Sequence, residues 1–140
     1  MFNQSLKLSF LKYCENKKFE KNNNQLQVID SLDKFLSQKK NIINFFFNRN
    51  RKVCFYLFGG VGVGKTMILD FFYESLNIPK QRMHFNEFMI NFHDYRFKEK
   101  ENNNSIFQFV KDLKKRNKLI YLDEFQVTNI VDAMILGKLF

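Results

Sequence analysis

Phe55-Tyr56-Leu57-Phe58-Gly59-Gly60-Val61-Gly62-Val63-Gly64-Lys65-Thr66 is the stretch that decides how this 140-residue chain is read. Gly59 to Thr66 satisfy G-x-x-x-x-G-K-[ST], a phosphate-binding loop. An apolar run rich in β-formers precedes it, which suits a buried parallel strand over Lys52 to Phe58. An amphipathic segment follows and predicts a helix from Lys65 to Leu76, ended by Asn77 and Pro79. The motif therefore sits between a strand and a helix, as its chemistry requires.

Each residue type has a physical task. Glycines let the backbone wrap around a phosphate chain in conformations a Cβ forbids. Their N–H groups make an anion nest, and the N-terminus of the next helix adds partial positive charge. The nucleotide contacts expected are Gly59, Gly60, Val61, Gly62, Val63, Gly64, Lys65 and Thr66. Lys65 is expected to reach the β- and γ-phosphates, and the Thr66 hydroxyl to bind Mg²⁺. The bland alternative is a glycine-rich turn, which the flanking strand and helix disfavour.

Outward from the loop, Gln25 to Phe47 reads as a helix, with Ile29, Leu32, Leu36, Ile43 and Phe46 near one face. Met1 to Asn24 is weakly patterned, with a short helix around Leu6 to Tyr13, and forms an N-terminal extension (1–24) before the main domain (25–140). Gln81 to Phe85 is a second strand. Asn86 is placed to cap a helix that buries Phe88, Met89 and Phe92. Lys98 to Asn104 reads as a surface loop. Ser105 caps a helix with Ile106, Phe109, Val110 and Leu113 as its stripe. Lys118 to Phe125 is a third strand, and Val127 to Phe140 starts one more helix.

The third strand carries the other half of the expected site. Leu119-Ile120-Tyr121-Leu122-Asp123-Glu124 is apolar and ends in two carboxylates. In phosphate-loop NTPases such a strand shares the parallel sheet, and ligands gather at its carboxyl end. Asp123 is expected beside Thr66 as a Mg²⁺ ligand. Glu124, on the opposite side of the strand, is expected to polarise an attacking water. Catalytic roles thus fall to Glu124 and Lys65. A strand intervenes between the two motifs, and no Asn-Lys-x-Asp guanine motif occurs. Both features favour ATP over GTP. The fold class is α/β, a three-layer P-loop NTPase with a parallel sheet.

Composition bounds the partners. Net charge is +9, but the lysines are scattered in short clusters such as Lys114-Lys115-Arg116. A solvated basic surface is therefore favoured over a nucleic-acid interface. The only cysteines are Cys14 and Cys54, so no disulfide framework or metal spacing is present. Cys54 is expected to pack inside the first strand. No run approaches the ~20 apolar residues of a membrane helix. Met1 to Phe10 lacks the continuous apolar run expected of a signal peptide, and its composition is not the one expected of a transit peptide. Nineteen phenylalanines and no tryptophan predict a Phe-packed core.

Three segments resemble the ZapE family of cell-division ATPases, which includes the mitochondrial AFG-one-like (LACE) ATPases. They are Tyr56 to Met67; Arg82-Met83-His84-Phe85-Asn86-Glu87-Phe88-Met89 with His93; and Leu122 to Thr128 followed by Asp132-Ala133-Met134-Ile135-Leu136. The last two are the more diagnostic, and the likeness spans about Gln25 to Phe140. At Asn86 the chain departs from relatives that often carry a second His there, and His84 reads as a strand-end packing residue.

The resemblance implies an AAA-type ATPase with ATP and Mg²⁺ as cofactors. It also implies protein partners, cell-division or membrane-associated, and a homo-oligomer when complete. The location would be the bacterial cytoplasm, or the mitochondrion in a eukaryote. It implies the strand order 5-1-4-3-2, in which the third strand neighbours the second and the first lies between the fourth and fifth. The fourth and fifth strands, a sensor residue, an arginine finger and a lid are expected beyond Phe140. The chain thus reads as truncated after the Walker B strand, a fragment or the product of a broken gene, and as inactive on its own. The function expected is ATP hydrolysis coupled to remodelling of protein partners. The rivals are a nucleic-acid-associated ATPase of the DnaA or DnaC type, and an inactive remnant.

Overall fold

A computed structural model describes residues 5–40, 54–98 and 105–137. It divides into two compact units, Met1–Leu76 and Asn77–Phe140.

The first unit holds three helices: α1 (Leu6–Lys17), α2 (Asn23–Lys40) and α3 (Lys65–Ser75). Helix α1 is longer than the short helix expected there, and its apolar stripe explains why. Leu6, Phe10 and Cys14 recur every four residues and are all buried. The ring of Phe10 meets that of Phe71 edge-on at 5.0 Å. Lys7 Nζ donates to Asp30 Oδ2 at 2.8 Å, which ties α1 to α2. The helix stops at Lys18, in the left-handed region at φ 57°, where the N–H of Phe19 returns to the carbonyl of Cys14. Helix α2 buries Ile29, Leu32 and Phe35, while Leu36 is half-buried. Ile43 and Phe46 lie outside the described residues, as do Lys52 and Val53.

The expected first strand is corrected. Cys54 to Phe58 form no strand, and the sheet among the described residues has two strands drawn from elsewhere. A strand exists only through a ladder partner, which an apolar β-forming sequence cannot supply by itself. The same reason overturns the burial of Cys54, which is exposed. Tyr56 and Phe58 are exposed as well, at 63% and 79%.

The second unit runs β1 (Lys80–His84), α4 (Phe85–Lys98), α5 (Ser105–Arg116), β2 (Leu119–Asp123) and α6 (Ile130–Leu136). Strands β1 and β2 pair in parallel, from Lys80 opposite Leu119 to His84 opposite Asp123. The expected adjacency of the second and third strands is thus observed. Two helices make the crossover that parallel pairing demands. Met83, Phe85, Phe88, Met89, Phe92, Ile106, Phe109 and Leu136 form the core. Phe109 receives the rings of Phe88, Phe92 and Tyr95, each with centroids 5.4–5.6 Å away.

Two capping expectations change. Helix α4 begins at Phe85, directly after β1, so Asn86 lies inside its first turn and does not cap it. Ser105 is likewise the first residue of α5 and is buried. The cap that forms is Asn129, whose Oδ1 accepts from the N–H of Val131 at 2.8 Å. Helix α6 has only seven residues, too short to hold itself, so this bond matters. Replacing Asn129 by Ala should cost about 1 kcal/mol. Denaturant unfolding followed by circular dichroism measures it, and a change within error would mean that packing of Leu136 alone holds α6.

Candidate functional site

The phosphate-binding motif lies in the first unit and spans the turn into α3. Gly64 stands at the N-cap of α3 with φ 83°, and its carbonyl accepts from the N–H of Ile68 at 3.0 Å. A Cβ there would meet Gln25 Nε2 at 2.8 Å, in a conformation that L side chains rarely adopt. Gln25 belongs to α2 and donates to the carbonyl of Val63 at 3.2 Å. An N-terminal helix thus braces the loop, a contact that no motif reveals. Gly62 also has positive φ, 79°, but a Cβ there would meet nothing within 4 Å. Its requirement is conformational only.

Gly64→Ala should therefore lose more than conformational freedom. The left-handed backbone costs roughly 1–2 kcal/mol for a non-glycine residue, and Gln25 must move. A fall in melting temperature larger than that of Gly62→Ala is expected. Equal falls would show that the Gln25 brace contributes nothing.

Lys65 is the first residue of α3. Its Nζ donates to the carbonyls of Gly59 at 3.0 Å and Gly60 at 2.6 Å. The ammonium is thus held across the loop, at the end where α3 presents its unpaired N–H groups. Thr66 follows in the first turn and is exposed, as are Val61 and Val63. One cationic head, a run of loop N–H groups and a helix N-terminus form a surface suited to a polyphosphate.

Asp123 and Glu124 lie in the second unit. Asp123 ends β2, and its side chain is only 17% exposed. Its Oδ2 pairs with Arg82 Nη2 at 2.5 Å. Its Oδ1 accepts from the N–H of Glu124 at 3.0 Å and from the Tyr121 hydroxyl at 3.4 Å. Burial pushes the Asp123 carboxyl up, but these hydrogen bonds and the Arg82 charge outweigh it and hold the carboxyl below its usual range. The group is thus an anion at neutral pH. An ionised carboxylate is an oxygen donor suited to a hard divalent cation. Among the described residues no cluster of three His, Cys, Asp or Glu forms a closed cage.

The expected placing of Glu124 by strand alternation is corrected. Strand β2 ends at Asp123, and Glu124 turns away with φ 50°. Its carboxylate is largely exposed, 3.9 Å from Nδ1 of His84. His84 is also exposed, so its reading as a packing residue is corrected too. It ends β1 opposite Asp123, where side chains at strand tips reach past the core. The second histidine, His93, lies 3.2 Å from Asp132 Oδ1 and links α4 to α6.

A family model described as AFG1-like ATPase matches residues 8–140. The chain belongs to the AFG1-like ATPase family. That membership makes it a P-loop NTPase, and its helices with a small parallel sheet agree. Lactation elevated protein 1 homolog B of Danio rerio is 40% identical over 98 residues, covering 61% of this chain and 20% of the relative. Cell division protein ZapE of Escherichia coli (strain K12) is 39% identical over 85 residues, covering 60% of this chain and 23% of the relative. The chain thus spans about a fifth of the length of these curated relatives. No solved structure matches it significantly. Among the described residues no helix is long and apolar enough to cross a membrane.

Proposed function

We propose that this AFG1-like chain carries the nucleotide-binding half of a Mg²⁺-dependent ATP hydrolase whose turnover remodels protein partners. The observation that carries the reading is the loop itself: Lys65 bridges the Gly59 and Gly60 carbonyls at the head of α3, beside left-handed Gly62 and Gly64. In this reading Gly59, Gly60, Val61, Gly62, Val63 and Gly64 supply N–H groups to the phosphates. Lys65 neutralises them. The Thr66 hydroxyl and the Asp123 carboxylate are assigned to Mg²⁺ by their chemistry. When bound, the metal would offset charge developing on the phosphoryl oxygens. Glu124 takes a proton from the attacking water.

The name of the Escherichia coli relative supports a cell-division protein as partner, and the resemblance supports a homo-oligomer. Titration with fluorescent ATP and GTP analogues in Mg²⁺ tests the binding claim. Saturable ATP binding that GTP competes for weakly is the expected result. No binding of either would end the proposal. A steep loss of DNA affinity with rising salt would instead favour the nucleic-acid-associated reading.

A further inference from the structure

The Asp123 carboxylate already has a cation on it. Arg82 projects from β1 two residues before the strand ends and pairs with Asp123 diagonally across the parallel ladder. Its guanidinium lies 4.9 Å from the centre of the Tyr121 ring, its register partner on β2. The same Tyr121 donates to the other carboxylate oxygen. A carboxylate offers roughly four acceptor positions. Arg82, Tyr121 and the Glu124 N–H draw on three of them. The Arg82 side chain is 39% exposed, so the guanidinium can leave toward solvent without opening the core.

We propose that Arg82 is a positioning residue that competes with the divalent cation for Asp123, an internal counter-ion that metal binding must displace or share. The inference rests on the assignment of Asp123 to Mg²⁺. Arg82 orients the carboxylate by stacking on Tyr121 and satisfies its charge within a largely buried strand end. A divalent cation on the same carboxylate meets the repulsion of a guanidinium a few ångströms away. Arg82 therefore lowers metal affinity and sets the concentration at which the site loads. By linkage, the metal weakens the Arg82–Asp123 pair by the same factor.

Mn²⁺ as a paramagnetic probe tests this by electron paramagnetic resonance on the 140-residue chain. Arg82→Gln should bind Mn²⁺ about tenfold tighter, the size expected for removing one like charge from a partly screened site. Arg82→Lys keeps the charge but loses the planar fork and should gain only about twofold to fourfold. It carries the test if Arg82→Gln does not fold. Asp123→Asn should bind weakly, and adding Arg82→Gln to it should change nothing. Equal or weaker Mn²⁺ binding by the folded Arg82 variants would overturn the proposal. So would a gain that survives in the Asp123→Asn background. Repeating the wild-type titration with ADP separates this from the nucleotide reading. If ADP does not raise Mn²⁺ affinity, the nucleotide assignment fails while the comparison of Arg82 variants still stands on Mn²⁺ alone.

Discussion

Lys65→Ala should weaken ATP binding about a hundredfold. A unit charge 4 Å from a phosphate is worth about 4 kcal/mol at an effective dielectric of 20. The loop is open to solvent, so part of that is screened, and roughly 2.7 kcal/mol, or a factor of a hundred, remains. The variant loses a second contribution. In the intact chain the ammonium bridges the Gly59 and Gly60 carbonyls, which steadies the loop. Without it those carbonyls must turn to water, and the N–H groups of the loop are less well aligned for an anion. Lys65→Arg keeps the charge but brings a wider head and should recover only part of the affinity. Titration with a fluorescent ATP analogue reads both variants, with circular dichroism to show that α3 persists. An affinity within threefold of wild type would remove Lys65 from the binding surface.

The shape of the glycine-rich loop and the start of α3 were legible because they are written into the loop's own residues. Gly62 and Gly64 occupy left-handed backbone, and Lys65 heads the helix that the pattern predicts. Helix α5 was legible for a similar local reason. Ile106, Phe109, Val110 and Leu113 repeat at helical spacing, and their buried or half-buried side chains face the core. What failed depended on partners. Cys54 to Phe58 has the composition of a buried strand, but composition does not supply a ladder, so neither the strand nor the burial of Cys54 followed. The Asn86 cap failed because β1 hands directly to α4, leaving no linker residue to stand outside the helix.

The most informative miss is Arg82. It pairs with a residue 41 positions away, and the contact follows from the parallel register of β1 and β2. The signal was present in a limited sense. Once two strands are taken as adjacent, parallel and ending together, a cation two residues before one end can reach a carboxylate at the other. His93 and Asp132 belong to the same class. Each stood in a segment that carried the family resemblance, yet only the packing of α4 near α6 brings them within 3.2 Å.

Glu124→Gln should leave nucleotide affinity within about twofold and lower ATP turnover roughly 10²–10⁴-fold, the usual worth of a general base. The geometry separates the two effects. Glu124 stands just past β2, with its N–H donating to Asp123 Oδ1 and its carboxylate pointing away to solvent beside His84. Glutamine has the same shape and keeps that N–H, so the carboxylate of Asp123 stays where it was. Only the capacity to accept a proton is lost. The backbone gives an independent control. Glu124 sits at φ 50°, where a non-glycine residue costs roughly 1–2 kcal/mol. Glu124→Gly should relieve that strain and raise the melting temperature, yet turn over as poorly as Glu124→Gln. Because the chain spans about a fifth of its curated relatives, turnover is best read with residues 54–137 grafted into the matching segment of Escherichia coli ZapE. Normal hydrolysis by the glutamine variant would strip Glu124 of its role. Loss of binding together with turnover would assign it to holding the Asp123 end of β2 instead.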